Sequence, residues 1–128
     1  MKTQTLTNTL FHFEHTQWKR ELLFWVDELK FFNQELGEIV SKWTDKDVLA
    51  QLEHFQNQFI RQSEVIDTLL HDIRIHEDDM AAHLKKEENV LNVEHAKQHQ
   101  AFHEKMSIQR NIYNDLKKDF FKYLSKYM

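Results

Sequence analysis

The sequence predicts an all-α fold, namely an up-down-up antiparallel bundle of three long helices that forms a single domain over residues 1–128. The chain contains no proline and one glycine, so the residues that make the tight turns of sheet proteins are almost absent. Hydrophobic residues make up 41% of the composition, which is enough for a core of its own. These residues also recur at steps of three and four along three segments, as expected for amphipathic helices.

The first helix is predicted from an apolar seam. Its members are Phe11, His15, Trp18, Leu22, Trp25, Leu29, Phe32, Leu36, Ile39 and Trp43. Glu14, Glu21 and Glu28 flank this seam at seven-residue spacing and are interpreted as a solvated charged edge, with Glu14 close enough in level to act as a supplementary metal ligand.

Helix 1 contains more large apolar residues than one seam can use. Those that lie off the seam are Leu23, Phe24, Val26 and Phe31. This second apolar face predicts a homodimer in which a partner covers the aromatic-rich helix 1.

The second helix is predicted to begin after an interruption at residues 42–47, where Thr44 and Asp47 resemble a capping box with Asp in place of Glu. Its seam contains Val48, Leu52, Phe55, Phe59, Gln62, Ile66, Leu69, Ile73, His76, Met80, His83 and Glu87. A second reversal is placed at residues 88–92. The third stripe contains Leu91, His95, Phe102, Met106, Tyr113, Leu116, Phe120 and Tyr123.

The three segments have similar lengths, about 50–65 Å as helices, and their short connections make neighbours antiparallel. Two alternatives would give a four-helix bundle. In one, helix 2 breaks at the acidic run of residues 77–79, which is otherwise interpreted as exposed, and a new helix starts at Met80. In the other, helix 1 ends at Gly37.

Charge and composition argue against several functional classes. The net charge of −4 with neutral histidine, and the dispersed basic residues, predict no nucleic-acid partner. No apolar stretch approaches the about 20 residues of a membrane span, and the polar N-terminal sequence lacks secretory-signal features, so a cytoplasmic protein without membrane contact is expected. Cysteine is absent, and no nucleophile or phosphate-binding motif occurs, so an enzyme is not favoured and any chemistry should be metal chemistry.

Histidine is the most informative residue type, because eight of the nine histidines lie in two windows of the sequence. In an up-down-up bundle both windows meet at one end, which places His12 level with His76 and His103 to within about one helical turn. Residues three, four or seven apart share a helix face, so each helix can present imidazoles to the core. Imidazole and carboxylate together suit first-row transition metals. The predicted ligands are His12, His15, His76, His83, Glu87, His95, His99 and His103.

Two of these motifs resemble a known family. The segment His83-Leu-Lys-Lys-Glu87, followed by His95-Ala-Lys-Gln-His99 and Phe102, is similar to the HxxxE and HxxxH motifs of hemerythrin-like domains, which are four-helix bundles with a non-haem di-iron centre. The resemblance implies His83, Glu87, His95 and His99 as ligands, with an earlier His as the first-helix ligand. His54 has a suitable sequence separation from His83, but the unbroken apolar seam between them would put both on one helix, so geometry favours His12 or His15. The last-helix pair of that family, a His followed five residues later by Asp, has no match after His103, so the resemblance implies a variant site.

The predicted function is therefore the binding of one or two transition metal ions, non-haem Fe or Zn, at one end of the bundle, for storage, sensing or oxygen and peroxide chemistry. The alternative is a non-enzymatic interaction module or homodimer that binds no metal. Because neighbouring histidines repel one another when protonated, a fall in pH is also expected to loosen that end.

Overall fold

The computed structural model describes the backbone of residues 2–87 and 93–128 and the side chains of residues 8–83 and 93–128. Within these ranges the chain forms three α-helices, α1 (Lys2–Lys42), α2 (Lys46–Glu87) and α3 (Val93–Tyr127). α2 runs antiparallel to α1, and α3 runs parallel to α1. The predicted all-α fold of three long helices is confirmed, whereas the predicted second reversal at residues 88–92 lies outside the described residues.

Both four-helix alternatives are wrong. α1 continues through Gly37, and α2 continues through residues 77–79. Glycine inside a helix costs about 1 kcal/mol relative to alanine, which a helix of 41 residues with a continuous buried face can tolerate. Gly37 is also exposed, and a Cβ atom at this position would have no neighbour within 4 Å, so the glycine is not needed for a close approach of another helix.

The start of α2 differs from the prediction by one residue. Asp45, rather than Thr44, is the N-cap, because its Oδ1 accepts hydrogen bonds from the backbone N–H groups of Asp47 at 2.9 Å and Val48 at 3.1 Å. These two N–H groups precede the first intrahelical hydrogen bonds and need a partner outside the helix. A carboxylate at this position also interacts favourably with the helix dipole.

The core is a continuous stack of side chains, most of them from the predicted seams. In α3 the predicted stripe omits His99 and Gln109, which are buried, and includes His95 and Leu116, which are only partly buried. Every seam residue from His15 to Ile39 in α1, and from Val48 to Met80 in α2, is buried. α3 contributes His99, Phe102, Met106, Gln109, Tyr113, Phe120 and Tyr123. The spacing alternates between three and four residues, and this seven-residue repeat is typical of helices that pack as a left-handed coiled coil. The bundle is therefore built from layers to which the helices contribute side chains at matching levels.

Two aromatic side chains attach the end of α3 to the turn between α1 and α2. The Tyr123 hydroxyl donates a hydrogen bond to the Val48 carbonyl at 2.8 Å, and the Trp43 indole Nε1–H donates to the Tyr127 carbonyl at 2.8 Å. The Tyr127 carbonyl lies in the last turn of α3, where carbonyls lack intrahelical donors, whereas the Val48 carbonyl lies in the first turn of α2 and accepts the hydroxyl through its second lone pair. The two hydrogen bonds fix the level of α3 relative to the other helices at this end of the bundle.

The acidic residues beside the α1 seam contact α3 and are not only a solvated edge. Glu21 accepts two hydrogen bonds from the Arg110 guanidinium, at 2.9 and 2.7 Å. Glu28 accepts one from the Tyr113 hydroxyl at 3.0 Å and pairs with the Lys117 ammonium. Their seven-residue spacing matches the repeat of the core, so they form a ladder along the groove between α1 and α3. The third member of the set belongs to the site described below.

One polar pair lies in the middle of the core. Gln62 and Gln109 are 4% and 5% exposed, and the amide of Gln109 donates a hydrogen bond to Oε1 of Gln62. A buried amide that loses its hydrogen-bond partner destabilises the folded protein, because the amide stays out of contact with water. We expect Gln62→Leu to lower the free energy of unfolding by about 1–3 kcal/mol, and the double change Gln62→Leu and Gln109→Leu to restore most of it. Urea titration of the three proteins measures both effects, and a double variant as unstable as the single one would contradict the pairing.

The second apolar face of α1 is exposed. Leu23, Phe24 and Phe31 are 53%, 58% and 53% exposed, whereas Val26 is partly buried and packs against the core. Among the described residues no helix has an apolar stretch of the length needed to cross a bilayer. The homodimer that would cover this face stays a prediction.

Candidate metal site

Three buried histidines, one from each helix, converge at one level of the bundle. His15, His76 and His99 are 1%, 3% and 4% exposed. One ligand nitrogen from each ring lies within 4.8 Å of those of the other two. The ring centroids are 4.9 Å apart for His15 and His76, 4.8 Å for His15 and His99, and 6.2 Å for His76 and His99. All three occupy positions of the heptad seams, so the pattern that builds the core also brings them together; we name them the histidine layer.

Two rings of the histidine layer are held by acceptors outside it. Nε2–H of His99 donates a hydrogen bond to Oε1 of Glu14 at 3.0 Å, and Nδ1–H of His76 donates to Oε1 of Gln98 at 3.0 Å. Both acceptors are only partly buried, at the edge of the core. These bonds fix the tautomer of each ring and leave the other nitrogen, His99 Nδ1 and His76 Nε2, with its lone pair available.

The remaining nitrogens lie in the interior. Nε2 of His15 is 2.9 Å from Nδ1 of His99, so in the absence of a metal His15 donates its proton to that lone pair. Nε2 of His76 is buried and has no hydrogen-bond partner among the described residues. Nδ1 of His15 is 4.0 Å from Oε2 of Glu77, which is too long for a hydrogen bond in this arrangement. The layer thus contains one unsatisfied buried acceptor, which costs free energy unless a cation or donor reaches it.

Burial keeps these histidines neutral. Burial, together with the positive charge that His99 and His76 would carry, lowers the pKa of His15 to about 3. Burial also lowers the pKa values of His76 and His99, against the opposing effect of their hydrogen bonds to Gln98 and Glu14. A metal ion binds the neutral form of imidazole, so no proton has to be removed from these rings at pH 7.

Aromatic side chains enclose the histidine layer. Trp18 lies on the side that faces the core, with its ring centroid 5.5 Å from that of His15 and 4.9 Å from that of His99. Phe102 lies on the same side, 5.2 Å from His76. Phe11 stacks on the His99 ring at 3.8 Å and 11°. These rings exclude water from the core side and restrict rotation of the imidazoles.

Glu77 connects the histidine layer to the surface. Its side chain is 17% exposed, and its two carboxylate oxygens lie 2.6 Å from Nζ of Lys19 and 3.4 Å from Nδ1 of His12. The expectation that the acidic run of residues 77–79 is exposed is therefore wrong for its first member, although Asp78 and Asp79 are exposed. Glu77 follows His76 directly, and at the boundary between α1 and α2 it meets two basic side chains of α1.

The structure brings together three of the predicted ligands and places two others farther away. The side chain of His12 is 75% exposed, and that of His103 is exposed beside Trp18, 6.2 Å between ring centroids. His76 thus lies at the level of His15 and His99 and not at that of His12 and His103. The difference is about one helical turn, within the range given for the predicted level.

Two further predicted ligands lie on the other side of the layer, toward the end of the bundle. His83 and His95 are partly buried, and their rings are 5.2 Å apart and nearly perpendicular. His95 also reaches the layer, with its ring 6.1 Å from that of His76. The side chain of Glu87, the predicted carboxylate ligand, lies outside the described residues.

The histidine layer has the donor set of a tetrahedral metal site with three protein ligands. Zn–N bonds of about 2.0–2.1 Å place tetrahedral ligand nitrogens about 3.3–3.4 Å apart. The pair at 2.9 Å therefore has to separate slightly, and nitrogens as far apart as 4.8 Å have to approach. Both movements are within the range of small side-chain rotations. Glu14 and Gln98 already occupy the outer positions that orient metal-bound imidazoles in proteins.

Two residues beside the site were not predicted from the sequence. Gln98 was not assigned any role, and Glu77 was expected to be exposed. Each directly adjoins a seam histidine, and residues next to a seam line the edge of the core. A carboxylate or amide beside a predicted histidine ligand is therefore the signal that identifies such outer partners. Comparisons with known proteins do not extend this description, because no family model, curated protein or solved structure matches the chain.

Proposed function

We propose that this protein binds one divalent transition metal ion through His15, His76 and His99. The observation that supports this most directly is the convergence of three neutral, buried imidazoles from three helices, with an interior nitrogen of His76 that has no partner in the part of the chain that the structure describes. A buried histidine in a packed core ordinarily has both nitrogens satisfied or one exposed to water. A metal ion would satisfy all three interior nitrogens at once.

Zinc is the ion that the donor set favours. Three imidazole nitrogens suit Zn²⁺, which has no geometric preference from its d electrons and accepts tetrahedral nitrogen sites. Mononuclear non-haem Fe²⁺ centres use a carboxylate together with two histidines. No carboxylate belongs to the cluster of three among the described residues; Glu14 and Glu77 contact the outer nitrogens instead.

The outer carboxylates also balance the charge. Three neutral histidines leave the full double charge on a bound cation, and a buried charge without compensation is costly. Glu14 accepts a hydrogen bond from Nε2 of His99 and places one negative charge beside the site. Glu77 lies near Nδ1 of His15, but its charge is shared with the Lys19 ammonium, so it offsets less of the metal charge. Transfer of the His15 proton from Nε2 to Nδ1 would free the interior nitrogen for the metal and direct the proton toward Glu77.

A metal in this position would join all three helices at one end of the bundle, and this arrangement supports a role in holding or sensing metal. We expect the metal-depleted protein to bind one equivalent of Zn²⁺ or Co²⁺ per chain. At a free metal concentration about 100 times the dissociation constant, binding raises the free energy of unfolding by about 2.7 kcal/mol. For a domain of this size that raises the melting temperature by roughly 10 °C.

The measurement is elemental analysis and thermal denaturation of protein purified without a histidine tag or a nickel column. His76→Ala should abolish both the bound equivalent and the thermal shift. His54→Ala is the matched control, because His54 is exposed and lies on the same helix about 33 Å away along its axis. Absence of stoichiometric metal, together with an unchanged melting temperature on addition of Zn²⁺, Co²⁺, Fe²⁺, Cu²⁺ or Ni²⁺, would refute the proposal.

A further inference from the structure

The two sides of the histidine layer differ in what they offer a bound metal. The side toward the core is filled by the rings of Trp18 and Phe102, and neither ring has an atom that could bind the metal. The side toward the end of the bundle carries Met80, His95, Asn8 and the ring of Phe11, which stacks on that of His99. A metal with three protein ligands in one layer has its fourth position along the bundle axis, so that position opens toward Met80 and His95.

His95 is placed to reach this fourth position. It precedes His99 by four residues on α3, and histidines at this spacing share a helix face and bind one metal in known zinc motifs. Its ring centroid is 6.1 Å from that of His76, as close as that of His99 at 6.2 Å.

We propose that His95 is the fourth ligand, so that four imidazoles enclose the metal and no open coordination position remains. This inference rests on the proposed metal site at His15, His76 and His99. It also specifies that site further, because structural zinc sites have four protein ligands, whereas catalytic sites keep one position for water or substrate. The protein would then hold a metal ion without exposing it to a substrate.

Other neighbouring groups are less suited to this position. The Asn8 side chain lines the cavity beside Met80 and is buried without a hydrogen-bond partner among the described residues, but a neutral amide is not among the usual ligands of Zn²⁺. Met80 is buried one turn from His76, but its thioether is a soft ligand that Zn²⁺ and Co²⁺ bind weakly. Glu14 is engaged with Nε2 of His99, and Glu77 with Nζ of Lys19. The nitrogens of His95 lie outside the group that converges within 4.8 Å, so its ring has to turn toward the layer to bind the metal. His95 is only partly buried and is in ring contact with His83, so this movement does not disrupt a packed position in the core.

The test uses the visible absorption of the Co²⁺-loaded protein, which reports coordination number and ligand exchange, with azide as an exogenous ligand. We expect azide to leave the spectrum of the wild-type protein unchanged. In His95→Ala, azide should change the spectrum in a saturable manner, because an open position appears. Affinity for Co²⁺ should fall by more than the about 10–100-fold that loss of an outer partner causes.

Two variants serve as controls. Met80→Leu keeps the volume of the neighbouring side chain, and His103→Ala removes an exposed histidine from the same helix; both should behave as wild type. An azide-dependent spectrum of the wild-type protein would overturn the proposal, as would undiminished Co²⁺ affinity in His95→Ala. An azide response that appears in Met80→Leu and not in His95→Ala would overturn it by assigning the position to sulfur. Failure of the wild-type protein to bind Co²⁺ would instead refute the three-histidine site itself, so the two failures are distinguishable.

Discussion

Replacing His15, His76 and His99 together with leucine is expected to raise the free energy of unfolding of the metal-free protein by about 1–4 kcal/mol and to abolish metal binding. All three positions belong to the heptad seams, where leucine fits the repeat and has a similar volume. The replacement removes the buried nitrogen without a partner and the cost of keeping three imidazoles away from water. The outer acceptors lose little, because Glu14 and Gln98 are partly exposed and can bind water.

Thermal and urea denaturation of metal-depleted proteins measure this change, and titration with Zn²⁺ measures the loss of binding. A matched control replaces three exposed histidines, His12, His54 and His103, with leucine; it should retain metal binding and nearly unchanged stability. If the core variant proved less stable than wild type, the histidines would be holding this end of the bundle by their own hydrogen bonds. That outcome would contradict the view that the three buried histidines destabilise the metal-free protein and are satisfied only by a bound metal.

Mild acid is expected to destabilise the metal-free protein steeply. In the unfolded chain these histidines take up protons near their ordinary pKa of 6.5, whereas in the folded chain burial lowers the pKa of His15 to about 3 and lowers those of His76 and His99. Below about pH 6.5 the unfolded state therefore binds more protons, and stability decreases as pH falls. A histidine with a pKa lowered as far as that of His15 contributes up to about 1.4 kcal/mol per pH unit, and His76 and His99 act in the same direction.

Urea midpoints measured between about pH 8 and 5 test this expectation, with stability constant at the upper end and falling below about pH 6.5. The leucine variant of all three core positions is the control, because it lacks the groups that take up protons only on unfolding. A wild-type protein with the same midpoint at pH 7 and pH 5 would contradict the burial of neutral histidines. Acid should also release a bound metal, since protons compete for the same nitrogens.

The fold could be predicted almost completely from the sequence, because each decisive signal is local. The steps of three and four mark the buried positions, and the scarcity of glycine and proline keeps the helices long. The errors also have local causes. Gly37 suggests a C-cap, but the apolar seam continues past it to Ile39, and so does the helix. Thr44 and Asp45 are both suitable N-cap residues, so the sequence alone does not decide which of them caps α2.

The site could be predicted only in outline. Helix faces identify the histidines that point inward, but the level at which they meet depends on the exact length of each reversal and on the lean of each side chain. An error of one turn exchanges His15 for His12 and His99 for His103. The outer partners Gln98 and Glu77 depend on the same level, and therefore could not be assigned from spacing.

The contacts between α1 and α3 have a consequence for how the chain assembles. The hydrogen bond between His15 and His99 joins residues 84 positions apart, and the bond between Glu21 and Arg110 joins residues 89 apart. α1 and α2, by contrast, form a local hairpin across a short turn. Contacts between distant positions carry a larger loop-closure entropy and form late in folding. We therefore expect the histidine layer to form only once α3 has docked on the hairpin of α1 and α2, so that metal capture would report completion of the fold.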